Sequence, residues 1–142
     1  MDDARGKFAF VLDDHAAKRA LYRSLHPDTR DRLIFVDAQP PEPDAAFTVL
    51  NDPIADAARI KQLVALGYLV RTRADADTVE ARANDTAPRV AVFASGAQIV
   101  STDYEKEDPR HPGFITKLPG KGVVRCNPVT APPDCTAADL RE

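Results

Sequence analysis

Arg71 and Arg73 stand two residues apart at the end of a short apolar segment, Tyr68-Leu69-Val70. Alternate residues of a strand share a face. Both guanidinium groups would therefore point at one place near the strand's C-terminal end. Each offers a planar fork of donors, which suits a phosphate or a group of carboxylates. A surface strand with two solvated arginines has the same local pattern, so the surroundings must decide. An acidic, polar turn follows and leads into a helical stretch.

The elements that would position the pair repeat in a regular rhythm. Apolar runs at 7–12 (KFAFVL), 33–36 (LIFV), 46–50 (AFTVL), 68–72 (YLVRT) and 98–101 (QIVS) read as strands. Helical spacing occupies 15–25, with Ala16, Ala20 and Leu21 on one face. A second helix is expected over 53–66, capped by Asp52, started by Pro53 and ended by Gly67. Its buried positions should be Ile54, Ala58 and Val64 or their neighbours. A third helical stretch covers 78–95, where Pro88 should kink or divide it.

Nearly continuous apolar strands alternating with helices are the pattern of a parallel sheet covered on both faces. The fold class is therefore α/β. The runs end in polar residues: Asp13, Asp37, Asn51, Arg71 with Arg73, and Asp103. Ligands of parallel α/β folds sit beyond the C-terminal strand ends. Asp37 and Asp52 read as turn or cap residues. For Asp13, Asn51, Arg71, Arg73 and Asp103, binding and structural readings stay balanced.

Two architectures fit. A doubly wound nucleotide-binding sheet would place a glycine-rich loop after its first strand. Here Asp13-Asp14-His15-Ala16 follows instead. A (β/α)₈ barrel needs roughly 250 residues, so 142 would supply about five β/α units.

Composition bounds the function. The chain has 142 residues, 44% hydrophobic, with net charge −3. That is enough for a core, and it gives no concentrated basic face for nucleic acid. No uncharged apolar run is long enough for a transmembrane helix, and no signal peptide is visible. Cys126 and Cys135 flank a short proline-rich segment. A local disulfide there would imply an oxidising compartment; two free thiols are the alternative. Zinc is disfavoured, since no CxxC is present and His111 is distant.

The segments RGKFAFVLDD, AAFTVLNDP, GYLVRTRADADTVEARANDT, ASGAQIVSTDY and LPGKGVVRCNPV resemble the bacterial calcium-dependent phosphoinositide-specific phospholipase C family. The resemblance implies the C-terminal portion of a TIM-barrel-type phosphodiesterase over 1–108, followed by a proline-rich tail over 109–142. It implies phosphodiester cleavage of a phosphoinositide-like substrate, with one histidine as general base, another as general acid, and a calcium ion on the phosphate. The family's catalytic histidines and most of its calcium ligands belong to the first barrel strands, expected before Met1. His15, His26 and His111 read as capping or solvated, and no catalytic or metal-ligating residue is assigned.

By the same resemblance, Arg71 and Arg73 would contact the phosphate or head group. Tyr104 would stack on the inositol ring, Asp103 would orient an arginine or bind a hydroxyl, Asn51 would donate to the pocket, and Asp13 would stand at a phosphate-facing strand end. The full-length parent would be secreted or periplasmic. A partial barrel leaves open sheet edges, so the isolated chain is expected to be marginally stable, to self-associate through those edges, or to be a truncated gene product. The competing reading is a complete small α/β module that binds an anion or a protein without catalysis. A response-regulator receiver or small phosphatase would take its support only from Asp13-Asp14 and Thr72.

Overall fold

The computed structural model describes residues 7–14, 16–25, 28, 30, 34–120, 122, 124–136 and 140. It separates into two compact units, Met1–Val49 and Leu50–Glu142.

In the first unit, strand β1 (Val11–Leu12) runs parallel to β2 (Phe35–Val36), with helix α1 (Ala17–Leu25) between them in sequence. The expected first strand, 7–12, pairs only over its last two residues. Phe8 and Phe10 lie before the ladder and are exposed. Asp37 continues β2 by a parallel bridge to Phe47, the first residue of β3 (Phe47–Val49). Val36, Ala38 and Phe47 are buried. The Asp37 carboxylate is buried too, and accepts the Val49 N–H at 2.9 Å. Its role is to brace β3 against β2.

Helix α1 departs from the amphipathic expectation. None of its residues is buried, and Leu21 is exposed. Ions hold it in place. Arg19 and Arg23 reach the Glu42 carboxylate at 2.5 and 2.6 Å, and Arg23 Nε reaches Asp44 at 3.0 Å. Burial alone would raise the Glu42 pKa. The Gln39 N–H and the two guanidinium groups outweigh it, and the value falls from the ordinary 4.5 to about 2.

The second unit contains α2 (Ala57–Ala65), β4 (Leu69–Arg73), α3 (Val79–Ala83), α4 (Ala87–Ser95) and β5 (Ile99–Ser101). Strands β4 and β5 are parallel, with Arg71 opposite Ile99 and Arg73 opposite Ser101. The α/β class with parallel strand pairs is therefore present in both units. Leu50, Ile60, Leu63, Val64 and Val70 form the core. The α2 face is carried by Ile60, Leu63 and Val64, while Ile54 and Ala58 are exposed. Ile54 is exposed because 53–56 form a turn before the helix, and Ala58 lies on the solvent side of α2. Asp52 caps this turn, accepting N–H groups from Ile54 and Ala55 at 3.1 and 2.8 Å.

The stretch 78–95 is two helices. Asn84 adopts a left-handed φ of 51° and ends α3, and Pro88 sits in the first turn of α4, where its missing N–H costs nothing. The tail belongs to the second unit. Cys126 and Cys135 are bonded, with S–S 2.00 Å. Within that loop, Asn127 donates to the Gly96 carbonyl at 2.8 Å and Val129 packs on the core. Gly96 has φ +84°, and a Cβ there would meet Val129 Cγ2 at 2.4 Å.

A carboxyl whose folded pKa lies below its unfolded value stabilises the fold above the unfolded value. That stabilisation is lost as pH falls toward the folded value. For Glu42 the window runs from 4.5 down to about 2. The melting temperature of the wild type should fall more steeply across this window than that of Glu42→Gln. Equal slopes would show that the Arg19–Arg23–Glu42 cluster does not hold α1.

Candidate functional site

Strand β4 divides its side chains between two environments. Val70 and Thr72 are fully buried, and Val70 joins the core with α2. Leu69, Arg71 and Arg73 occupy the opposite face, with exposure rising toward the strand end. Pleating thus places both arginines on the side away from α2.

The two guanidinium groups are not equivalent. Arg71 is half-buried and donates through Nη1 to Asn51 Oδ1 at 3.0 Å. The backbone draws the same segments together, since the Leu50 N–H donates to the Arg71 carbonyl at 3.0 Å. Arg73 is exposed and, among the described residues, has no hydrogen-bond or ion-pair partner. It borders a cleft of about 380 Å³ that Asn51, Asp52, Asp75 and Glu80 also line, with Pro53 and Ile54 on an apolar side.

Asp75, two residues past the strand, accepts three hydrogen bonds from distant segments. It is 5% exposed. Its Oδ2 accepts the Thr102 hydroxyl at 2.5 Å and the Thr116 hydroxyl at 3.3 Å, and its Oδ1 accepts the Asp103 N–H at 2.8 Å. The Thr102 oxygen in turn accepts the Tyr104 N–H at 3.0 Å. This carboxylate joins the β4 end, the β5 end and the tail. The turn after it is pinned twice more: Glu80 accepts the Ala76 N–H at 2.8 Å, and the Tyr104 hydroxyl donates to the Asp77 carbonyl at 3.2 Å.

The other candidates fall as follows. Asp103 is exposed, held by its backbone, and does not line the cleft. Tyr104 is 5% exposed and clusters with Ala81 and Phe114. Its ring meets Phe114 edge-on at 5.0 Å and His111 at 5.8 Å. Burial, reinforced by the Asp108 and Asp75 charges, raises its phenol pKa above 10, so the group stays a neutral donor. Asp13 follows β1 in the first unit and is exposed. His15 and His26 lie outside the described residues. A larger hollow of about 510 Å³, between α4, β5 and the tail, is lined by none of the six substrate-binding candidates.

Asp75, Thr102 as its clamp, Thr116 and Phe114 belong to the site's support without a spacing in the sequence that marks them. The only local signal for Asp75 is its place in the acidic turn after Arg73. Phe114 is 1% exposed, in the tail that the sequence marks only as proline-rich. Arg89 stands over its ring at 5.8 Å and donates to the Ile115 carbonyl.

The described residues do not by themselves complete a calcium shell at this cleft. Calcium takes about six to eight oxygen ligands. Here Asn51 Oδ1, Asp52 Oδ1, both Asp75 oxygens and Glu80 Oε2 already accept protein donors. Among the described residues no group of three or more His, Cys, Asp or Glu is placed to hold a metal. Among the same residues, no helix is long and apolar enough to cross a membrane.

The family described as phosphoinositide phospholipase C, Ca2+-dependent, matches residues 1–128. No curated protein and no solved structure matches the chain.

Truncating a buried phenylalanine costs ~3–5 kcal/mol. Phe114→Ala should lower the denaturation free energy by about that amount. A loss below about 1 kcal/mol would mean that the tail does not seal the Tyr104 cluster.

Proposed function

We propose that this chain, which belongs to the Ca2+-dependent phosphoinositide phospholipase C family, supplies the substrate-holding side of a phosphodiester-cleaving site. Arg73 is the group that receives the phosphate. The observation that carries this reading is an unpartnered guanidinium at a strand end, facing a cleft of about 380 Å³. A guanidinium can bind two phosphate oxygens at once, and such charge-assisted bonds are roughly twice as strong as neutral ones. Arg71 acts differently. Its bond to Asn51 fixes the cleft's edge and adds positive charge behind Arg73.

The polar cleft with an apolar side formed by Pro53 and Ile54 suits a phosphorylated polyol that continues into an apolar group. The fold that suits this role is part of a β/α barrel, whose ligands lie at the C-terminal strand ends. No described histidine lines the cleft, and the role assigned to Arg71 and Arg73 is to bind and orient the phosphate. Calcium would screen phosphate charge in a family member that holds it. No step here is assigned to it.

The test compares wild type, Arg73→Ala and Arg71→Ala in calorimetric titrations with inositol 1-phosphate and with inorganic phosphate. Losing hydrogen bonds to a charged partner costs ~1.5–3 kcal/mol. Arg73→Ala should therefore weaken inositol 1-phosphate binding roughly ten- to hundredfold, and Arg71→Ala should weaken it less. Inorganic phosphate should bind more weakly than the polyol ester. Equal affinity for wild type and Arg73→Ala would remove Arg73 from the site.

A further inference from the structure

The cleft contains an obvious internal competitor for Arg73. Asp75 lines the same cleft and lies two residues away in sequence. A carboxylate and a guanidinium lining one cleft are natural partners, because opposite charges attract. Yet Arg73 has no partner among the described residues. The carboxylate is instead held by three donors from other segments: the Thr102 hydroxyl at 2.5 Å, the Asp103 N–H at 2.8 Å and the Thr116 hydroxyl at 3.3 Å. Its burial at 5% exposure fits a group already satisfied within the protein.

We propose that Thr102 and Asp75 form a sequestering pair. By holding the Asp75 carboxylate on the β5 side, the Thr102 hydroxyl keeps it from capturing Arg73 and leaves that guanidinium free for an external phosphate ester. The inference rests on the reading of Arg73 as the phosphate-receiving group. Both residues act as positioning residues, since neither needs to touch the ligand. The arrangement also sets selectivity. A fixed negative charge in the wall disfavours ligands that bring excess negative charge deep into the cleft. It suits a phosphate ester whose polyol hydroxyls face the acidic side.

Three features make Thr102 the critical donor. Its contact is the shortest of the three. It is the first residue after β5, so the strand ladder fixes its direction. The Tyr104 N–H donates to the same oxygen and orients the hydroxyl proton toward Asp75.

The experiment is a double-mutant cycle on the full chain: Thr102→Val, Asp75→Asn and the double variant, each titrated with inositol 1-phosphate. In parallel, the Arg73 Nε–Hε NMR signal is recorded without ligand. Thr102→Val removes the shorter of the two hydroxyl donors to Oδ2 and leaves that oxygen with only the 3.3 Å contact from Thr116. It should weaken binding about tenfold, as expected for an internal competitor of ordinary hydrogen-bond strength, and should shift the free-protein Arg73 signal as the new ion pair forms. Adding Asp75→Asn removes the competitor and should recover most of the lost affinity. A purely structural role would make the double variant bind worse than either single one, and that result overturns the proposal. An unchanged affinity and Arg73 signal in Thr102→Val overturns it as well. Should Thr102→Val fail to fold, Thr116→Val removes the longest contact and should show the same two effects at smaller size; no effect there counts against the pair. Failure of wild type to bind inositol 1-phosphate defeats the phosphate-binding reading separately, and the free-protein Arg73 signal then decides the sequestration alone.

Discussion

Burial of the Asp75 carboxylate is the constraint on which the rest of the second unit depends. A carboxylate taken from water without compensation costs several kcal/mol, so its donors must be in place for the fold to hold. Here they come from the end of β5 and from the tail. Satisfying this one group therefore fixes how β4 ends, where β5 stops and where the tail returns. The Tyr104–Phe114–Ala81 cluster seals the same region with apolar area. The polar clamp sets direction, and the cluster excludes water from it.

The tail reinforces this arrangement at both ends of the sheet. Near the strand C-termini, Thr116 reaches Asp75 and Phe114 fills the cluster. Near the strand N-termini, the loop closed by Cys126 and Cys135 places Val129 on the core beside Gly96. Between them, Arg125 stacks over Phe93 at 5.5 Å and donates to its carbonyl. A segment rich in proline, with no helix or strand of its own among the described residues, is thus held by side-chain bonds and a covalent bridge.

Features set by local chemistry were legible in the sequence. The alternation of β4 put Arg71 and Arg73 on one face, and Pro88 marked the division of 78–95. Features set by distant partners were not. Asp75 meets donors 27, 28 and 41 residues away, a separation no spacing rule covers. Helix α1 misled the periodicity because it docks through Arg19 and Arg23 and leaves its apolar positions in solvent. The start of α2 was misread because Asp52 and Pro53 carry the same signals at a turn as at a helix N-terminus. Tyr104, to which the family resemblance gave a ring-stacking role, is buried in the fold, with its ring in the core cluster and its hydroxyl donating to the Asp77 carbonyl.

Arg73 and Asp75 line one cleft, the guanidinium without a partner among the described residues and the carboxylate restrained by its donors. A crystal structure of the chain grown with inositol 1-phosphate tests this arrangement most closely. The expected result is a phosphate bound by the Arg73 guanidinium, with Asp75 still accepting from Thr102 and Asp103. A phosphate bound elsewhere, with Arg73 paired to Asp75, would contradict it.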